Sequence, residues 1–220
     1  MISEALENKI ENIGELENKK IPEGHVTLVG VGRLGIRIGI NLLQVHRGGP
    51  KEISVFDGQK ISESDIIFKI LGGNFGDYKV DFLKSICTHP ESLRKVTAFK
   101  EDITKNNLDL INGDVVSIQS AGGNTIPTTA AIIKKAHEIG AKTISTAGVF
   151  GIGEEKITVM DISEVDNSNP VAKELRAHEI EENHIIVTTG RFIEDNIPIT
   201  PYVLDEYSAV MTREILKLLH

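Results

Sequence analysis

The stretch His25–Asp57, HVTLVGVGRLGIRIGINLLQVHRGGPKEISVFD, decides the fold. The short apolar run Val26 to Val29 reads as a buried strand, and Gly30, Gly32 and Gly35 form a G-x-G-x-x-G that opens a helix from Ile36 to Val45. Each glycine has a physical job. Gly30 allows the tight turn, Gly32 lets the backbone approach a phosphate, and Gly35 lets helix and strand pack closely. The helix N-terminus offers N–H groups and a partial positive charge to that phosphate. A second strand, Glu52 to Asp57, ends in an acid about 20 residues on, where a carboxylate can take a ribose hydroxyl pair. The plain alternative is a glycine turn of an α/β fold that binds nothing.

Working outward, the chain of 220 residues is long enough for one sizeable core and short for two independent domains. Lys+Arg 24 against Asp+Glu 32 gives a net charge of −8, which argues against nonspecific nucleic-acid or anionic-membrane binding. No apolar run approaches the length of a membrane span. One cysteine, Cys87, excludes an internal disulfide and a thiolate zinc site, so a reducing cytoplasm is the natural compartment. Cys87 stands next to Ile86 in a setting that favours a core position over a reactive one.

Upstream, residues 1–19 carry Ile2, Leu6, Ile10, Ile13 and Leu16 at helical spacing and predict an amphipathic helix that ends near Pro22 and Gly24. Downstream, a polar loop from 58 to 65 and the cluster Gly72-Gly73-Asn74-Phe75-Gly76 surround a short apolar segment, before a helix from 77 to 88. Strands are predicted at 95–101 and 114–120 with a short helix at 104–112 between them, then a glycine turn at 121–125, a helix at 127–140 and a strand at 142–146. This βα alternation predicts a Rossmann-like, doubly wound, mainly parallel sheet whose site lies at the strand C-terminal ends, with the three glycine turns along one edge. The pattern then changes. A strand at 156–161 should run antiparallel to its neighbour, followed by a polar loop, a helix at 171–182, a strand at 184–189 and a closing helix at 203–219. Leu204, Tyr207, Ser208, Met211, Ile215 and Leu218 share one face of that helix as a dimer or core seam.

Four patches resemble the adenylating enzymes of the ThiF and MoeB type, the prokaryotic relatives of ubiquitin-activating enzymes. VTLVGVGRLG is similar to their nucleotide turn. Asp57 followed by Ile61, Ser64, Asp65 and Ile66 resembles D-x-D-x-V-x-x-S-N-L-x-R-Q, and Gly76-Asp77-Tyr78-Lys79 resembles G-x-x-K. ISTAGVFGIGEEKITVM is similar to the region where their sheet turns from parallel to antiparallel. The resemblance implies one adenylation domain over 1–220, with an N-terminal helix at 1–22, a nucleotide-binding half at 24–148 and a substrate and dimer half at 149–220. It implies that a substrate carboxylate attacks the α-phosphate of ATP, that pyrophosphate leaves and an acyl-adenylate forms, with Mg2+ as the charge partner. Lys79 and Arg33 would be catalytic. Gly30, Gly32, Arg33, Leu34, Gly35, Asp57, Gln59, Ser64, Lys79, Ala121 and Asn124 would hold the nucleotide. Thr188-Thr189-Gly190-Arg191 offers hydroxyls and a bidentate cation after a strand, and with Thr146 these are the candidate substrate contacts. Their alternative role is a loop with a surface arginine.

The departures from the pattern are informative. Its second Asp is Gln59 here, its arginine falls on Phe68 with Lys69 beside it, and its metal-binding Asp falls within Ala121–Asn124, where no acid stands. Arg33, at a position usually glycine, supplies positive charge, and Asn124 and Asp102 are left as candidate metal donors. No thioester cysteine or zinc-binding cysteine pair is present, so another protein would receive the acyl group. The compact length and these departures most resemble the branch that activates the carboxymethyl group of guanylylpyridinol in iron-guanylylpyridinol cofactor assembly for a methanogen hydrogenase, which implies a homodimer acting on a small-molecule carboxylate and a partner enzyme whose cysteine takes the acyl group as a thioester. Three other functions stay open at this point. An NAD(P)-dependent dehydrogenase would use the same glycine turn, but it has no use for G-x-x-K, and His137 and His178 make no catalytic pair. A scaffold that lost catalysis, and an enzyme adenylating a ubiquitin-like sulfur carrier, complete the set.

Overall fold

The computed structural model describes residues 21–87, 94–120 and 123–220. The amphipathic helix expected at 1–19 and the candidate Ala121 lie outside the described residues. Among the described residues seven strands form one sheet: β1 (His25–Val29), β2 (Glu52–Phe56), β3 (Lys95–Phe99), β4 (Val115–Ile118), β5 (Lys142–Thr146), β6 (Thr158–Asp161) and β7 (His184–Thr188). Their order is β3-β2-β1-β4-β5-β7-β6. All pairs are parallel except β6 with β7, the antiparallel edge that the sequence predicts after Gly148. The burial follows this order. β4 is buried at every position and β1 and β2 at all but their first, whereas the edge strands β3 and β6 are mostly half-exposed. Central strands of a parallel sheet are covered on both faces, so their sequences read as unbroken apolar runs.

Among the described residues six helices cover the sheet: α1 (Arg33–Leu43), α2 (Ile66–Ile70), α3 (Lys79–Ile86), α4 (Ile126–Glu138), α5 (Pro170–Ala177) and α6 (Pro201–Leu219). One core is built from Leu34, Ile38 and Leu42 of α1, Val80 and Leu83 of α3, and Leu204, Tyr207, Met211 and Ile215 of α6. The other is built from Ile132, Ile133 and Ala136 of α4 with Ala172 and Leu175 of α5. The face of α6 singled out in the sequence is thus a core seam, and Tyr207 anchors it by donating from its hydroxyl to the Val187 carbonyl.

Three elements differ from expectation. The segment 104–112 holds only a 3-10 turn at Leu108–Leu110, because the Asn107 side chain accepts from the Thr104 N–H (2.7 Å) and donates to Glu101 and to the Asp102 carbonyl. Those bonds offer the backbone an alternative to a helix. α5 stops at Ala177, five residues early, since Glu179 and Asn183 adopt the left-handed conformation. Inside the apolar segment after residue 65, Ile66–Ile70 forms a short helix.

His184 on β7 is fully buried, with Ser145 Oγ at 2.8 Å from Nε2 and Thr143 Oγ1 at 2.8 Å from Nδ1. Burial pushes its pKa down from 6.5 to about 3. A folded value below the unfolded one means that the stabilisation is complete above pH 6.5 and is lost as pH falls toward 3. At pH 4.5 the expected loss is about 3 kcal/mol relative to pH 7. Urea unfolding at the two pH values checks this, and His184→Gln, which keeps hydrogen bonding without titrating, should flatten the difference.

Candidate functional site

The chain direction reverses across the sheet between β1 and β4, since β2 and β3 lie to one side of β1 and β5 to the other side of β4. Ligands of open α/β sheets bind outside the strand C-termini at such a point. A cleft of about 350 Å³ opens there, lined by Val29, Gly30, Gly32, Phe56, Asp57, Gln59, Asp102, Ile103, Gln119, Ser120, Asn124, Thr125 and Thr128. Two of the three glycine turns reach this edge; the 72–76 loop instead folds back on Ile61, whose carbonyl accepts from the Gly76 N–H (3.0 Å).

The glycine turn does what its spacing requires. Gly30 has φ +96° and backs onto Gln119, where an added Cβ would stand 3.2 Å from the carbonyl carbon. Gly35 is tighter still, its Cβ position lying 2.1 Å from the Gly30 oxygen. Gly32, the N-cap of α1, has nothing within 4 Å of its Cβ position and faces the cleft. Among the described residues no side chain caps α1, and no acid occupies its first turn, so its first N–H groups suit an anion. Leu34 is buried behind this turn, while Arg33 is exposed at the helix start and its guanidinium has no acid partner among the described residues.

Asp57, the residue after β2, joins two segments. Its Oδ2 accepts from the Val31 N–H (2.8 Å) and its Oδ1 from the Gln59 N–H (2.8 Å), which ties the second strand's end to the glycine turn. Burial raises its pKa, those two N–H bonds and the Lys79 ammonium oppose the rise, and Asp102 adds to it. Phe56 stacks on Phe99 at 4.2 Å between centroids and, with Val29 and Ile103, gives the cleft an apolar wall suited to a planar base.

Lys79, the first residue of α3, is 5% exposed and does not line the cleft. Its Nζ donates to Oε1 of the cleft residue Gln59 (2.9 Å) and lies 3.3 Å from Asp65 Oδ1. Burial alone would raise the Asp65 carboxyl, but bonds from Ser62 and the Lys79 ammonium outweigh it and hold it below the usual carboxylate range. Ser64 is exposed, with its hydroxyl 3.0 Å from that of Ser62. Phe68, at the family's arginine position, is fully buried 5.7 Å from Lys79 Nζ, and Lys69 points to solvent. Cys87 is half-buried, its thiol donating to the Arg94 carbonyl at 3.2 Å.

The residues marked for the substrate lie on the β5 and β7 ends. Thr146 is half-buried at the end of β5. The Thr188 hydroxyl donates to the Ala147 carbonyl and accepts from the Gly190 N–H (2.8 Å), and the Thr189 hydroxyl donates to the Phe150 carbonyl (2.8 Å). Both hydroxyls therefore brace the loop, and Arg191 stands exposed 3.9 Å from Asp195. None of the four lines the cleft. The cleft also takes in Phe56, Ile103, Gln119, Ser120, Thr125 and Thr128, which no sequence motif marks. The signal that finds the last four is the strand order, which sets the end of β4 and the turn after it opposite the glycine turn.

These features define a nucleotide-binding α/β protein of the Rossmann type. The chain matches the ThiF family over residues 6–151 and belongs to that family of adenylating enzymes. It is 50% identical over 208 residues to the uncharacterized protein MJ0693 of Methanocaldococcus jannaschii, spanning 94% of this chain and 82% of that relative. HcgE of Methanothermobacter marburgensis, solved with guanylylpyridinol and ATP bound, superposes with a TM-score of 0.88 at 54% identity, over 91% of this chain and 97% of that one. The E. coli tRNA N6-threonylcarbamoyladenosine dehydratase TcdA, solved with AMP, superposes with a TM-score of 0.74 at 16% identity over 90% and 86% of the two chains, a likeness of fold. Among the described residues no helix is long and apolar enough to cross a membrane.

Proposed function

We propose that the chain binds ATP in this cleft and adenylates a small-molecule carboxylate, the carboxymethyl group of guanylylpyridinol. The observation that carries this is the 54% identity, over nearly the whole chain, to a protein solved with guanylylpyridinol and ATP bound. In this scheme the 24–148 half holds the nucleotide and the 149–220 half meets the substrate. The base lies on the Phe56 and Ile103 wall, the ribose reaches Asp57, and the triphosphate lies over Gly30 to Gly35 with Leu34 and Asn124 beside it. One carboxylate oxygen attacks the α-phosphorus as the bond to pyrophosphate breaks. The α1 N–H groups, the Arg33 guanidinium and the Lys79 ammonium neutralise the charge that two anions bring together. Gln59, which accepts from the Lys79 ammonium, and Ser64 of the neighbouring loop complete the nucleotide contacts.

Magnesium is bound by one or two carboxylates besides phosphate oxygens and water. The cleft suits it, because Asp102 commits Oδ1 to the Gly58 N–H (2.9 Å), leaves Oδ2 without a hydrogen bond among the described residues, and shares the cleft with Asn124. When bound, the ion would neutralise phosphate charge. Thr146, Thr188, Thr189 and Arg191 form the substrate side, where Arg191 suits a phosphate or carboxylate. The enzyme acts as a cytoplasmic homodimer and passes the acyl group to a partner enzyme's cysteine, forming a thioester.

The test is incubation with ATP and magnesium plus either guanylylpyridinol carboxylate or a ubiquitin-like carrier, with pyrophosphate release and adenylate mass as readouts. Release with the small acid alone is expected. ATP binding without release from either acid would leave only a scaffold, and binding of NADH in place of ATP would restore the dehydrogenase.

A further inference from the structure

We propose that Asp65 is a latch on Lys79 that sets how readily the ammonium reaches a triphosphate in the cleft; this rests on the nucleotide role given to Lys79 above. Both residues are buried, 7% and 5% exposed, and neither lines the cleft. An ammonium has three N–H donors. One goes to Gln59 Oε1 at 2.9 Å and one toward Asp65 Oδ1 at 3.3 Å, so the charge stands one side chain behind the cleft surface. Asp65 itself is fixed: its Oδ2 accepts from the Ser62 N–H (2.9 Å) and hydroxyl (2.8 Å), and its carbonyl accepts from the Phe68 N–H (3.0 Å) as α2 begins.

The consequence is electrostatic. The pair is neutral as a unit, so this corner offers a phosphate no net charge until the pair is loosened. The buried Phe68 ring closes the space beside the ammonium, which leaves the Gln59 side as its way forward. A triphosphate carries several negative charges and competes with one carboxylate for the lysine, and the free energy of loosening Asp65 is subtracted from nucleotide affinity. Asp65 thereby acts as a positioning residue through Lys79.

The experiment measures ATP and adenosine affinities by calorimetry for the full chain, Asp65→Asn, Lys79→Met and the double variant. Asparagine keeps the shape and the acceptor for Ser62 but removes the charge that holds the ammonium. Asp65→Asn is expected to tighten ATP about tenfold. It should leave adenosine unchanged and have no effect on ATP in the Lys79→Met background. Equal tightening in that background would mean that the Asp65 charge acts on the phosphates directly, which overturns the latch, as does unchanged or weaker ATP binding in Asp65→Asn. That variant leaves a buried lysine without its counter-ion. Should it fail to fold, Ser62→Ala, which removes one of the bonds fixing Asp65, is expected to tighten ATP about threefold. An unchanged affinity there overturns the proposal too. A wild-type chain that binds neither ATP nor adenosine takes down the nucleotide assignment and the latch together, whereas ATP that binds regardless of Asp65 takes down the latch alone.

Discussion

In a Lys79→Ala variant, acid-dependent pyrophosphate release is expected to fall by about 10²- to 10³-fold, the cost of losing one preorganised donor to developing charge. Two changes follow from the substitution. The ammonium within 2.9 Å of cleft-lining Gln59 disappears, and Asp65, 3.3 Å from where it stood, is left as a buried carboxylate with no cation. Asp65 does not line the cleft, so its unpaired charge burdens the fold and not the phosphates, and the rate effect comes from the loss of the ammonium. Removing one partner of a buried pair also costs about 3–5 kcal/mol of stability. The assay therefore needs saturating ATP, a temperature well below the variant's unfolding midpoint, and a circular dichroism spectrum that matches the parent. A loss under tenfold in a folded variant would remove Lys79 from the chemistry and leave the α1 N-terminus and Arg33 as the source of positive charge.

The contrast between Lys79 and the glycine turn also explains how much of the site the sequence discloses. Gly30, Gly32, Gly35 and Asp57 are legible because their contacts are local: a strand, a turn and the next strand of one βαβ unit, held by the Asp57 bonds to Val31 and Gln59. The buried strands are legible for the same reason, since parallel neighbours leave β1, β2 and β4 no polar face. Gln119, Ser120, Thr125 and Thr128 come from a distant part of the chain, and only the step from β1 to β4 in the sheet places them opposite the glycines. The Lys79–Asp65 pair is less legible still. Fourteen residues separate its members, and their meeting depends on Ile61 bonding back to Asp77 (2.8 Å), with Lys60 bridged to Tyr78. The early end of α5 has no glycine or proline to announce it, because Glu179 takes the left-handed conformation that glycine ordinarily marks.

Gly35→Ala is expected to be the most damaging single-methyl change in the described turn. The added Cβ would stand 2.1 Å from the Gly30 oxygen and 3.0 Å from its carbonyl carbon, so one of the two segments has to move. Gly30 cannot yield: its N–H donates to the Phe56 carbonyl (2.8 Å), and its own Cβ position lies 3.2 Å from Gln119 and 3.3 Å from the Ser120 nitrogen. The strain passes to α1, whose Leu34, Ile38 and Leu42 are packed in the core shared with α6. Overpacking of this kind costs about 3 kcal/mol. A displacement of the α1 N–H groups by about 1 Å is expected to weaken catalysis about 10²-fold beyond that. Gly32→Ala separates the two effects. Nothing lies within 4 Å of that Cβ position and Gly32 has φ −75°, so the alanine variant should unfold at the parental urea midpoint. Gly32 nevertheless lines the cleft, and its new methyl would occupy the surface that a phosphate approaches. Urea titrations and ATP calorimetry on both variants give a clear pattern: Gly35→Ala loses stability and binding, Gly32→Ala loses binding alone. An unchanged midpoint for Gly35→Ala would show that the turn relaxes around the methyl, and full ATP affinity in Gly32→Ala would move the triphosphate away from the glycine turn.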